Sequence, residues 1–420
     1  MKHSSTLITR SSNQLLGSRE AAAVLGVKLP TLYAYVSRGL LRSRPGSGGR
    51  ARVYARAEVE ALRQKARGER GAEAAGALRW GEPVLASSIT AMTAEGPLYR
   101  GEPALALARR DVPFESVAEL LWTGTLPESS PRFAAQQGGP DLARLARALP
   151  AGASFSAWQV AVVAMLAPHD PGRFDLSRGA VLPRGRSLIR WLAAALAFAT
   201  DPRRAAASLR AETVAQGVAT ALGVRPDPAK LRAIDRMLTL MADHELNAST
   251  FAARVAASAQ ADPHACILAG LCTLSGPLHG GASDRVEALL AQIERPADAA
   301  RIVHERERRG ERVPGFGHGF YRDEDPRARM LLETARAVGG RARGVREIEA
   351  VIETMTESGR PGPNVDTGAV ALRCALGMPG GCVAGIFAVG RCAGWIAHVV
   401  EQAESGELLR PRARFEPRAV

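Results

Sequence analysis

The chain has 420 residues and a formal net charge of +13, with 23% charged and only 5% aromatic residues; that length allows more than one domain and a large core. Its five cysteines (266, 272, 374, 382 and 392) form no CxxC pair and lie in apolar stretches, which argues against a disulfide or zinc framework and predicts buried free thiols. No run approaches the ~18–20 apolar residues of a membrane span, the longest being Trp191 to Ala199, and Met1 to Gly17 lacks a signal-peptide core, so a cytoplasmic chain without a membrane partner is expected.

Charge is unevenly placed. Residues 1–80 hold 15 Lys and Arg against 5 Asp and Glu, whereas residues 81–420 hold 40 against 37. This predicts a small basic module joined to a nearly neutral body. Residues 1–14 read as a flexible tail. Ser18 is placed to cap a first helix, Arg19 to Leu25, stopped by Gly26. Pro30 suits the first turn of a second helix that runs to Arg38 and closes at Gly39. A basic, glycine-rich loop between two short strands follows over residues 42–54, then a helix over about 57–65.

Residues 15–67 thus resemble the winged helix-turn-helix of the MerR and excisionase type, in "SREAAAVLGVKLPTLYAYVSRGLLRS" and "RVYARAEVEAL". The resemblance implies double-stranded DNA as a partner. Lys28, Thr31, Tyr33 and Tyr35 would face the major groove, and the wing arginines Arg44, Arg50 and Arg52 would meet phosphates. A basic module used only for protein contacts is the alternative. Residues 68–83, small and charged, read as a linker.

From residue 84 to 420 the helical period dominates, and the fold class is mainly α. Val117, Leu120 and Leu121 mark one amphipathic helix, and Leu142, Leu145 and Leu149 another. A long helix is expected from about Ala229 on toward Ala257, and another from Pro263 to Leu274. Asp325-Pro326 starts a helix that Gly339-Gly340 stops. Three interruptions carry chemistry. His279 lies in Ser275-Gly-Pro-Leu-His-Gly-Gly281, and His318 stands among alternating glycines in Gly315-Phe-Gly-His-Gly319, nine residues before Arg327. Asp366 closes Pro363-Asn-Val-Asp366 at a helix start, where an N-cap is the plainer reading. Arg391, in an otherwise apolar helix, needs an anion, and His398 lies on the same face. The eight histidines show no metal-ligand spacing, and no metal site is expected.

Taken in order, "LSGPLHGGA", "VPGFGHGFYRDEDPRA" and "PNVD" resemble the citrate synthase family, as do "ADHELNASTFAARV" at 242–255, "GRCAGWIAHVVEQ" at 390–402 and "RPR" at 410–412. The resemblance implies a two-domain helical body whose small mobile subdomain spans about 284–380, assembled as a homodimer or larger homo-oligomer. It implies a Si-type synthase that condenses acetyl-CoA with oxaloacetate to give citrate and CoA, with no permanently bound cofactor. His279, His318 and Asp366 would be catalytic. Asp366 would take a methyl proton, His279 would donate to the thioester oxygen and His318 would polarise the ketone. His244, Arg327 and Arg391 would bind oxaloacetate, with Arg410 reaching in from the other subunit. Met241 and Thr367 depart from the family pattern, and Arg360 is the nearest cation where lysines often flank the coenzyme phosphates. Two alternatives stand beside this: a 2-methylcitrate synthase using propionyl-CoA, and a DNA-binding regulator whose body senses oxaloacetate, citrate or an acyl-CoA.

Overall fold

A computed structural model describes residues 15–46, 51–60, 62–63, 85–135, 138–225 and 227–413. The chain divides into two compact units between Ala86 and Ser87. The expected tail (1–14), linker (68–83) and wing residue Arg50 lie outside the described residues.

In the first unit, helices Ser18–Leu25 and Leu29–Ser37 are joined through Gly26, whose φ of 68° needs no Cβ to avoid. Ser18 is the first helical residue rather than the cap. Gly17 holds the cap position, and its N–H donates to Glu20 Oε2 at 2.9 Å. Strand Arg52–Ala55 pairs antiparallel with Arg44–Pro45 and also with Leu15–Gly17. That third strand was not expected, since three residues are too few to show alternation. Leu16, Ala21, Leu32, Leu41, Tyr54 and Val59 form the core.

The second unit is mainly helical, as expected, apart from a small antiparallel sheet of Thr90–Thr93, Gly96–Tyr99 and Glu102–Pro103. Of the stretch expected around Leu142, Leu145 and Leu149, only Leu142–Leu145 is helical. The axis of the unit is the helix Cys382–Ser405, packed against Phe114–Thr123, Arg178–Ala195, Pro228–Met241, Ala248–Ser258 and Pro263–Leu274. It is long and apolar enough to cross a membrane, contrary to the reading of Trp191 to Ala199 as the longest apolar run, but its apolar window is wholly buried, as in a core helix. A second, smaller core of Leu289, Ile293, Ala299, Ile302, Val303, Val313, Val351 and Met355 lies within the 284–380 segment. Cys266, Cys382 and Cys392 are buried free thiols, Cys374 is half-buried, and Cys272 is exposed against expectation.

The helix expected to run from 229 toward 257 is broken. Pro228–Met241 ends, residues 242–247 turn, and Ala248–Ser258 begins. Glu245 takes a left-handed φ of 56°, and Asn247 Oδ1 caps the new helix by accepting the Thr250 N–H at 3.1 Å. The apolar period continues across the break, so periodicity alone reads through it. The turn lies against Gly394 of the axial helix, whose N–H donates to the Ala242 carbonyl at 3.0 Å. A Cβ on Gly394 would stand 2.5 Å from that carbonyl oxygen and would also strike the Asp243 carboxylate. Gly394→Ala is therefore expected to lower unfolding free energy by about 1–3 kcal/mol, read by denaturant titration; an unchanged midpoint would contradict this close approach.

Candidate functional site

The broken helix puts His244 at a turn facing the loop that carries His318. The two rings stand edge to face with centroids 5.3 Å apart. Tyr321, buried, completes the group. Its ring centroid is 4.8 Å from that of His318, and its hydroxyl is 3.4 Å from His244 Nε2. The sequence reading missed Tyr321, although its position three residues after His318 in a glycine-rich turn was the available signal.

The His318 ring is oriented by its own backbone. The N–H groups of Phe320 (3.0 Å) and Tyr321 (3.4 Å) both donate to Nδ1. Nδ1 is thus the bare nitrogen and Nε2 carries the proton, which leaves a fixed neutral donor. Burial and the nearby Arg327 charge hold His318 below its ordinary pKa. The same two effects, with Arg391 added, hold His244 well below it.

Arg327 already grips a carboxylate, that of Asp325. Its Nε donates to Oδ1 at 3.0 Å and its Nη2 to Oδ2 at 2.7 Å, with both residues buried. Burial would lower the Arg327 pKa, but the Asp325 pair outweighs it and raises it. Arg391 is also buried. Its Nε donates to the Met241 carbonyl at 2.9 Å, and its guanidinium lies over the Phe387 ring at 4.7 Å. No ion pair or further hydrogen bond reaches Arg391 among the described residues, and burial pushes its pKa down to about 10. Asp243 is near enough to favour its charge, but no carboxylate is paired with this guanidinium among the described residues.

Asp325 also joins the two glycine-rich turns. Its Oδ2 accepts the Val365 N–H at 3.2 Å, and its own N–H donates to the Pro363 carbonyl. Gly317 N–H to Gly362 O (2.9 Å) and Asn364 N–H to Gly315 O (2.9 Å) lace the turns further. Thr367, a departure from the family pattern, has a definite place here, donating through its hydroxyl to the Gly315 carbonyl at 2.7 Å. Gly315 itself has φ 82°, and a Cβ there would strike Thr367 Oγ1 and Val286.

Asp366 is not the cap of the helix Val365–Ala375. Asn364 is, its Oδ1 accepting the Asp366 N–H at 3.1 Å. Asp366 is thereby left free of capping duty in the first turn. It is half-buried, and burial, only partly offset by Arg327, lifts its carboxyl to about 7. His279 is held by Ser249 Oγ at 2.8 Å from Nε2, and burial together with Arg391 pushes its pKa down to about 4. Arg410 is exposed, beyond the end of the axial helix, and no hydrogen bond or ion pair joins it to the other site residues among those described.

In the first unit Lys28, Thr31, Tyr33, Arg44 and Arg52 are exposed. Tyr35 is not a free face residue. It is half-buried and packs against the core, because it falls on the inward side of the second helix. Among the described residues no group of three or more His, Cys, Asp or Glu is placed to hold a metal ion.

A family model for the citrate synthase C-terminal domain matches residues 77–412, and one for a helix-turn-helix domain matches residues 15–67. The chain is 34% identical to the citrate synthase of Haloferax volcanii, over 73% of this chain and 86% of that one. It is 30% identical to 2-methylcitrate synthase 1 of Corynebacterium glutamicum, over 72% of this chain and 84% of that one. In structure it is similar to the citrate synthase of Thermoplasma acidophilum in a ternary complex with carboxymethyl coenzyme A and oxaloacetate, at TM-score 0.70 and 25% identity, covering 80% of this chain and 95% of that one. The chain belongs to the citrate synthase family and carries a helix-turn-helix domain at its N-terminal end.

The Asp366 environment has a thermodynamic consequence. Its carboxyl sits at about 7 in the fold against 3.8 for an ordinary Asp. The folded chain binds this proton more tightly than the unfolded one, so the group's favourable contribution is present at low pH and is lost as pH rises from 3.8 through about 7. Asp366→Asn is expected to melt above the parent at pH 8, with the gap narrowing toward pH 4. A gap independent of pH would contradict the buried environment.

Proposed function

We propose that the body catalyses condensation of acetyl-CoA with oxaloacetate, followed by thioester hydrolysis to citrate and CoA. The observation that carries this reading is Asp366: a carboxyl relieved of capping by Asn364 and lifted to about 7. Such a group is a far better base near neutral pH than an ordinary aspartate. It takes a proton from the thioester methyl group, and the developing enolate needs a fixed donor.

His279 is that donor. Ser249 has one hydroxyl proton and two acceptors in reach, Asn247 Oδ1 and His279 Nε2, both at 2.8 Å. When the proton goes to His279, the ring carries its own proton on Nδ1, ready for the thioester oxygen. With its pKa near 4, His279 is neutral at pH 7 and donates without first losing a charge. The enol carbon then attacks the oxaloacetate ketone, whose oxygen accepts from His318 Nε2–H. Arg391 supplies the open buried cation for one carboxylate, while Arg327, its Nε and Nη2 held by Asp325, offers Nη1 to the other. His244 stands beside His318, and Arg410 of a second subunit completes the clamp in the dimer proposed here.

Release of free CoA thiol tests the reaction. Asp366→Ala is expected to lower kcat by about 10²–10⁴-fold. Because the base must be ionised, kcat/KM should fall about tenfold per pH unit below about 7. A wild type as silent as the variant with acetyl-CoA and propionyl-CoA alike contradicts the synthase reading, and a larger kcat/KM with propionyl-CoA identifies a 2-methylcitrate synthase.

The basic first unit supports a second activity, DNA binding, and with it the reading of the body as a sensor. Lys28 is exposed at the start of the second helix, whose own exposed side chains are uncharged, and Arg44 and Arg52 are exposed on the paired strands. Phosphate contacts by these cations predict a steep salt dependence of binding to the chain's own upstream DNA. Deleting residues 1–80 should abolish that binding, and unchanged affinity or a flat salt slope contradicts it.

A further inference from the structure

His398, buried in the axial helix, takes no part in the proposed chemistry, yet it sits within an unbroken hydrogen-bond chain that runs from the buried Asp243 out to the exposed Ser88. Arg254 Nη1 donates to His398 Nδ1 at 3.2 Å, so Nδ1 is bare and the ring proton is on Nε2, 3.4 Å from Asp243 Oδ2. Asp243 precedes His244 and is fully buried. Its Oδ2 also accepts the Glu245 N–H at 3.2 Å, and its carbonyl accepts the Tyr99 hydroxyl at 3.2 Å. The carboxylate therefore ties down both sides of the turn that presents His244. Its other oxygen, Oδ1, has no hydrogen-bond partner among the described residues. Burial opposes this ionised carboxylate, and His398, Arg391 and the Thr90 hydroxyl outweigh it, with His398 contributing most.

The chain continues outward from Arg254. Its Nε donates to Gln402 Oε1 at 2.9 Å and its Nη1 to Glu401 Oε2 at 2.7 Å. The other Glu401 oxygen accepts from Ser88 twice, from the N–H at 2.8 Å and from the hydroxyl at 2.9 Å. Ser88 is the second residue of the body unit. Donors and acceptors alternate consistently along the whole path, from Ser88 to Glu401, Arg254, His398 and Asp243.

We propose that this chain is the positioning network for the oxaloacetate site: it fixes the 243–245 turn, and it makes ligand affinity depend on how the polypeptide is anchored where it enters the body. The inference rests on the functional reading above only in taking oxaloacetate as the ligand. Asp243 and His398 are positioning residues that act through His244 and Arg391.

Oxaloacetate binding to the full-length chain, measured by calorimetry without any coenzyme, tests it. His398→Leu removes both contacts and is expected to weaken binding about tenfold, whereas His398→Gln, whose amide can both accept from Arg254 and donate to Asp243, should stay within about threefold of the parent. Ser88→Ala, at the far end of the chain, should weaken binding by about threefold while CoA affinity stays unchanged. Equal losses in the Leu and Gln variants, or no loss in either, overturn the proposal. Should His398→Leu fail to fold, Ser88→Ala decides, and parental affinity there overturns it. If the parent binds oxaloacetate and the variants do not differ from it, only this inference falls. If the parent takes up none, the functional reading falls and takes the inference with it.

Discussion

The Asp325 carboxylate is the interaction on which the rest of the site depends. It is buried and surrounded by four donors: the Arg327 N–H, Nε and Nη2 groups and the Val365 N–H. Burial alone would lift its pKa, but the Arg327 pair outweighs this and keeps it low. Through that one group the helix bearing Arg327 is joined to the helix start bearing Asp366, and the bonds of Gly315 and Gly317 to residues 362–367 add the turn bearing His318 to the framework. Removing one partner of such a pair leaves an uncompensated buried charge, which costs far more than a surface ion pair. The site is therefore built from ties between loops rather than from one element.

The framework also separates the pKa values of neighbouring groups. Asp325, beside Arg327, stays ionised. Asp366, two residues beyond the cap Asn364 and with no such partner among the described residues, is lifted to about 7. The histidines around it are held neutral by burial and by the two buried arginines. In the proposed reaction this division supplies a base that ionises near neutral pH, neutral donors and cations within one site.

Much of this was legible in the sequence, for physical reasons. Glycines flanking His279 and His318 mark turns, and Asp325-Pro326 and Gly339-Gly340 bound a helix within a residue of where it lies. Tertiary choices were not legible. The break at 242–247 is hidden because apolar spacing continues across it, and its contacts far along the chain, Asp243 to His398 and Ala242 to Gly394, have no local signature. Asp366 reads as a cap until Asn364 is seen to do that work. Arg327 reads as a free clamp until Asp325 is seen in its fork. Tyr321 reads as one more loop aromatic until its hydroxyl is placed beside His244. In each case the missing information was which polar group wins a shared partner, and that is settled only by packing.

The central claim is that Asp366 removes a proton from the acyl methyl group in a site completed by a dicarboxylate. Acetyl-CoA incubated with the chain in heavy water, with malate in place of oxaloacetate so that condensation is blocked, tests it most directly. Deuterium is expected to enter the methyl group, read by mass spectrometry, with the exchange lost in Asp366→Asn and retained in a variant at an exposed position such as Phe174→Ser. Exchange at the parental rate in Asp366→Asn, or none in the parent, would contradict it.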